Sequence, residues 1–245
     1  MGSNVRRTSR LLPDNSPLEN RLLTSLPADV YREIVGDIDM IDVTLGQVLV
    51  EDEARVGHVY FPNGGVYSIT TSMRDGSMVE VATVGREGML GVNVFLGDPQ
   101  GTGRALQQVP DGRLPRMSVR AFLRHTAGEG PFRDVVMRYA QANFLQVMQC
   151  TGCNALHGIE NRCCRWLLQT HDRVEGDEFN LKQEFLAIML GASRPTVSVV
   201  MGSLQDAGLI GGRYGRIRVL DRKKLERASC ECYAVIVGHF KRLGL

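Results

Sequence analysis

Apolar positions in the C-terminal third of the chain return at helical spacing. Phe185, Leu186, Ile188, Met189 and Leu190 recur at steps of three and four residues, which predicts a short helix with one face against a core, ended by Gly191. A second helix is predicted to begin at Ser193, whose hydroxyl can cap it. Pro195 falls in its first turn, where a missing N–H costs no hydrogen bond. That helix turns Val197, Val200, Met201 and Leu204 inward and leaves Arg194, Thr196, Ser198, Val199 and Gly202 outward. A short β-hairpin follows, with Arg213, Tyr214 and Arg216 at a glycine-rich tip able to touch phosphates. An amphipathic helical hairpin in an unrelated core would show the same apolar spacing. Turn, cap, outward arginine and hairpin together favour a module that enters a DNA groove.

The N-terminal half has a different period. From Val43 to Phe95, short β-branched or apolar runs alternate with glycines, and Val66–Thr71 and Met78–Val84 flank Asp75-Gly76, a strong hairpin signal. The expectation is an antiparallel β-roll, jelly-roll-like, and a ligand-free β-sandwich is the plainer alternative. Ser118 to His125 reads as a short helix. After Gly128-Glu129-Gly130, Pro131 opens a longer one carrying Phe132, Val135, Val136 and Tyr139, then Phe144, Val147 and Met148. Its apolar surface suffices to pack on its own domain and on a partner, and a helix buried within one domain is the alternative. Asn143 is placed to fix register at a seam.

Two groups of residues carry a family resemblance. The first is Gln183-Glu184, the run Gly191-Ala192-Ser193-Arg194-Pro195-Thr196-Val197-Ser198, and Leu204-Gln205-Asp206-Ala207-Gly208-Leu209-Ile210. It resembles the winged helix-turn-helix of the Crp/Fnr superfamily of bacterial transcription regulators. The second, His58-Val59-Tyr60-Phe61-Pro62 with Gly85-Arg86-Glu87-Gly88-Met89-Leu90-Gly91, is similar to the cyclic-nucleotide-binding-like domain of the same regulators. The resemblance implies a homodimer joined through the long helix at Phe132, Val135, Val136, Tyr139 and Asn143, binding double-stranded DNA at a palindrome. RNA polymerase is then a candidate further partner. Arg194 would read a base edge, while Ser193 and Thr196 would hold phosphates. Pro195 and Val199 depart from the best-known member, which has an acidic residue and an arginine there, so its target sequence does not carry over. The implied effector pocket comprises Gly85, Glu87, Gly88, Gly91 and Arg104. Cyclic nucleotide is its candidate ligand, but Arg104 has no neighbouring hydroxyl to complete a phosphate clamp.

Charge agrees with this division. Net charge is +2 overall, yet residues 1–10 carry a surplus of +3, residues 11–175 one of −5 and residues 176–245 one of +4. A basic C-terminal module is what attraction to phosphate requires. The expected organisation is α+β: a flexible basic tail over 1–20, a β-roll sensor over 21–127, a dimerisation helix over 128–153, a winged helix-turn-helix over 154–228 and an extension over 229–245. No long apolar run, secretory signal or myristoylation pattern is present, so the expected location is the cytoplasm, away from membrane. The absence of H-E-x-x-H, P-loop and nucleophile-elbow motifs argues against an enzyme.

The six cysteines pose the competing chemistry. Cys150 and Cys153 form C-x-x-C, and with Cys163 and Cys164 they offer four thiolates for zinc or an iron–sulfur cluster, hence a metal or thiol redox sensor whose output is DNA binding. Adjacent residues on a helix point about 100° apart, which makes convergence of Cys163 and Cys164 awkward. The expectation is therefore buried, reduced thiols without metal, Cys230 and Cys232 included.

Overall fold

The computed structural model describes residues 10–110, 112–212 and 215–245. Two short helices, α1 (Arg21–Thr24) and α2 (Ala28–Ile34), lead into a β-roll. Its strands are β1 (Ile38–Asp42), β2 (Val48–Val50), β3 (His58–Tyr60), β4 (Val66–Ser72), β5 (Met78–Val84), β6 (Arg104–Val109) and β7 (Arg113–Ser118). They form two antiparallel sheets, ordered β1-β7-β3 and β2-β6-β4-β5. The β4–β5 hairpin turns at Asp75-Gly76, where Gly76 takes φ +83° and the Asp75 carboxylate accepts from the Ser77 backbone N–H. Strands β1, β6 and β7 lie outside the stretch from which strands were predicted. They are legible mainly as sheet partners, since β6 inserts between β2 and β4.

Helix α3 (Val119–Thr126) is capped by Ser118, and α4 (Pro131–Leu156) runs 26 residues with proline in its first turn. Its core-facing side, Phe132, Val135, Val136, Tyr139 and Ala142, is buried against the roll. The four large residues among them were expected at a dimer seam, and they instead fill the chain's own core. The large apolar side chains that α4 leaves exposed are Met137, Phe144, Met148 and, at its C-terminal end, Leu156. The tail also differs from expectation over residues 10–20. Leu12 and Leu18 are buried in the first core, and the Arg10 guanidinium donates to Leu23 O at 3.0 Å and sits over the Tyr31 ring. These two apolar anchors fix residues 10–20 against the first core.

After the bend at Gly158 come α5 (Ile159–His171), β8 (Glu178–Asn180), α6 (Gln183–Leu190), α7 (Arg194–Asp206), β9 (Ile210–Gly211), β10 (Arg216–Val219), α8 (Arg222–Ala228) and α9 (Cys232–Arg242). Strand β10 pairs antiparallel with both β8 and β9. A second apolar core lies beneath these elements, and it also takes in Val66 and Val109 from the roll. Helix α9 turns back onto α4, burying Ile236 and Phe240 in the first core. Among the described residues no single helix is long and apolar enough to cross a membrane, while the pair α6 and α7, bent by 105°, passes that test by composition alone.

Candidate functional site

Gly191 ends α6 in the left-handed conformation, φ +58°, which a residue without Cβ adopts freely. Ser193 then caps α7, its Oγ accepting from the Thr196 N–H at 3.3 Å. Val197, Val200, Met201 and Leu204 are all buried and pin the helix. Its other face is open to solvent at Ser193, Arg194, Pro195, Thr196, Ser198 and Val199, with Gly202 half-buried. Val199 is 73% exposed, a large apolar side chain held in water on the face of small and polar residues.

Two neighbours on α6 hold this face. The Arg194 guanidinium pairs with Glu184 at 3.0 Å, and Ser198 Oγ donates to the Gln183 side chain at 2.8 Å. Both pairs are exposed, so each contributes little stability, and a phosphate or base edge can displace them. On the hairpin, Arg216 and Arg218 share Glu178, at 3.7 and 2.9 Å. Gly212, at φ +122°, closes the turn where any Cβ would collide with the Arg216 carbonyl. Arg213 and Tyr214 lie outside the described residues.

The positions expected to form an effector pocket do not converge. Glu87 is buried and ion-paired with Arg173, Nη2 to Oε1 at 2.7 Å, and Arg173 also donates to Thr83. Burial would raise the Glu87 carboxyl, but the Arg173 charge and its hydrogen bonds, with that from Gly85 N–H, hold it below the usual range. Gly85 leaves room for the Arg173 stem and Gly88 for the Tyr139 ring, and a Cβ at either would strike that neighbour. The Gly-Arg-Glu-Gly run is thus a packing surface for α4 and the segment after α5. Arg104 lies apart, paired with Glu51 at 3.0 Å on the surface.

Only Gly91 of that set borders the roll's cavity. This space of about 260 Å³ lies between the four-stranded sheet and α4, lined by residues such as Ile69, Ala82, Leu90 and Ala105, with Asn143 and Val147 from the helix. No charged side chain lines it. The Asn143 Oδ1 is buried without a hydrogen-bond partner among the described residues. Asn143, expected to set register at a seam, therefore faces the roll's cavity.

A second buried contact joins roll and helix-turn-helix. The Trp166 Nε1–H of α5 donates to Glu80 of β5 at 3.0 Å, and Ser68 Oγ donates to the same carboxylate. Burial raises Glu80 to about 7, although these hydrogen bonds and the charges of Arg165 and Arg173 oppose the rise. Nothing in the alternating pattern of β5 marks Glu80 as buried, because its partner lies 86 residues away. On the same sheet Gln108 Nε2 reaches Met189 Sδ of α6. Helices α5 and α6 thus pack directly on the four-stranded sheet of the roll.

The four cysteines considered for a metal separate. Cys163 and Cys164 are buried in the second core, where burial pushes both thiols up, Cys164 to about 12. Cys150 belongs to the first core and is pushed up to about 11. Cys153 instead lies with Cys230 and Cys232, both of which were expected to be ordinary buried thiols.

With this geometry in view, the comparisons are specific. Residues 161–228 match the family model of the Crp-like helix-turn-helix domain. A sequence search of the curated proteins finds no match. Among solved structures, FixK2 from Bradyrhizobium japonicum is similar with a TM-score of 0.68 at 13% identity, covering 79% of this chain and 98% of its own. A transcriptional regulator of the Crp/Fnr family from Eubacterium rectale gives 0.62 at 16%, covering 84% and 96%. The c-di-GMP-responsive global regulator CLP from Xanthomonas campestris gives 0.63 at 16%, covering 80% and 100%. Identities this low establish a shared fold. The chain has the fold of the Crp/Fnr transcription regulators and carries, over residues 161–228, a Crp-like helix-turn-helix domain.

Proposed function

We propose that the protein is a homodimeric transcriptional regulator that binds a palindromic site on double-stranded DNA under the control of its β-roll. The observation that carries this reading is the solvent face of α7, where a capped helix N-terminus presents Arg194, Thr196 and Ser198 from a rigid support. Arginine geometry suits a bidentate contact to guanine O6 and N7, and Ser193 and Thr196 suit phosphate. Val199 offers apolar contact, for which a thymine methyl is the matching group. Arg216, on the hairpin strand β10, would add a phosphate contact, and Arg213 and Tyr214, named from sequence for the same role, lie outside the described residues.

Dimerisation through α4 is supported by the apolar side chains the chain leaves uncovered. Met137, Phe144 and Met148 are spaced by seven and four residues, the d, d, a sequence of a two-stranded seam, and are 48%, 63% and 57% exposed. Control by the roll is supported by the Arg173–Glu87 and Trp166–Glu80 contacts, which tie the helix-turn-helix to the sensor. An effector in the uncharged cavity beside Asn143 would act by favouring one dimer arrangement, with recognition helices about 34 Å apart. That lining offers no cation for a cyclic phosphate, so a small, largely apolar effector fits it better.

The test is selection of DNA sites from a random pool with the purified chain, followed by affinity measurement at fixed salt. Arg194→Ala should weaken binding by about 1–3 kcal/mol and relax preference at one base pair per half-site. Selection of no site, or an unchanged footprint in the variant, refutes the assignment.

A further inference from the structure

We propose that Cys153, His157, Cys230 and Cys232 form a four-ligand zinc site fastening the C-terminal helix to the end of the long helix. Their ligand atoms lie within 4.8 Å of one another. Cys153 Sγ is 3.5 Å from Cys230 Sγ, and Cys232 Sγ is 3.5 Å from His157 Nδ1. A tetrahedral zinc with Zn–S of about 2.3 Å and Zn–N of about 2.0 Å needs S···S and S···N separations of roughly 3.8 and 3.5 Å. Small side-chain rotations therefore suffice to close the site.

The chain builds this arrangement from two helix ends. Cys153 and His157, four residues apart at the end of α4, share one helical face. Cys230 and Cys232 flank Glu231, where α9 begins. The three sulfurs pack as a cluster of their own, apart from both apolar cores. Outer contacts have the pattern that metal ligands use. His157 Nε2 is 3.3 Å from the Glu231 carboxylate, so a proton on that nitrogen leaves the Nδ1 lone pair facing the thiols, and Gln149 Nε2 donates to Cys232 Sγ at 3.0 Å. Three thiolates around Zn²⁺ leave one surplus negative charge. The buried Arg165, whose field reaches Cys153, offsets it.

Three thiolates and an imidazole are a zinc donor set, and a space this small has no room for the extra iron and sulfide atoms of a cluster. All four positions are supplied by protein, the mark of a structural site. Its place gives it leverage, because His157 precedes the bend at which α4 passes into the helix-turn-helix.

The full chain, produced without a histidine tag in zinc-supplemented medium and kept reduced, is dialysed and its metal content measured by mass spectrometry. One zinc per chain is expected. It should be lost in Cys230→Ser and His157→Ala and kept in Cys150→Ser and Cys163→Ser. Glu231→Gln should keep the fold by circular dichroism yet bind zinc 10–100-fold more weakly. Cobalt loaded into the wild-type chain should give the intense visible bands of a tetrahedral thiolate site, a readout independent of any variant. The proposal is overturned by a wild-type chain that takes up neither metal, by equal loss in Cys150→Ser or Cys163→Ser, or by a Cys153–Cys230 disulfide in protein prepared anaerobically.

Discussion

Replacing Glu80 by glutamine should abolish a pH dependence that the wild-type chain carries between its roll and its helix-turn-helix. The carboxyl is fully buried, hydrogen-bonded by Ser68 and Trp166, and raised from 4.5 to about 7, chiefly by burial. Between those values the unfolded chain has lost the proton and the folded chain retains it, so stability falls as pH rises. The contribution is fully present below about pH 4.5 and lost by pH 7 to 8. A difference of about 2.5 units at roughly 1.4 kcal/mol each makes it ~3.5 kcal/mol at most. Glutamine is neutral at every pH, can accept from Trp166 and can donate to Ser68, so it imitates the protonated acid. Urea titrations at pH 5 and pH 8 should show the two proteins nearly equal at the first and Glu80→Gln more stable at the second. Trp166 is the only tryptophan in the chain, so its fluorescence reports on the carboxylate directly. A wild-type transition near pH 7, absent from the variant, is expected. Parallel stability curves across this range refute the reasoning.

Other substitutions probe the remaining contacts. Arg173→Gln leaves Glu87 buried without its counter-charge and should cost about 3–5 kcal/mol, read as a lower denaturation midpoint and faster proteolysis after α5. Ser193→Ala removes the cap of α7 and should cost about 1 kcal/mol in thermal unfolding while leaving the fold intact by circular dichroism. Phe144→Glu places a charge on the exposed face of α4 and should convert a dimer into a monomer in light scattering, with loss of tight operator binding. An unchanged molar mass would remove α4 as the seam.

Local signals and three-dimensional contacts divide this protein cleanly. The helix-turn-helix is readable because turn, cap and inward face are set by neighbours within about four residues. Gly191, Ser193 and the set Val197, Val200, Met201 and Leu204 stand in the structure as periodicity predicts. So does the β4–β5 hairpin, whose Asp-Gly turn is local. Which face of α4 meets the chain's own core is not legible in this way, for a physical reason. Its apolar residues cover more than one side, and periodicity identifies a stripe without saying whether a roll or a second chain covers it. Phe132 and Tyr139 go to the roll, while Phe144 and Met148 stay exposed.

The Gly85-Arg86-Glu87-Gly88 run illustrates the same limit. Gly85, Glu87 and Gly88 look like ligand contacts in sequence, yet each position's environment comes from Tyr139 of α4 or from Arg173, some 51 to 88 residues away. The cysteines carry it furthest. C-x-x-C spacing proposed Cys150 with Cys153, but a cysteine's partners are set by where helices end and how they return. The return of α9 onto α4 brings Cys230 and Cys232 to Cys153 and His157. Sequence alone determined the second helix of the helix-turn-helix, its cap and the roll's hairpin, because their energetics are local. Tertiary structure alone decided what covers α4, what holds Glu80 and Glu87, and which thiols meet, because those depend on contacts between segments far apart in the chain.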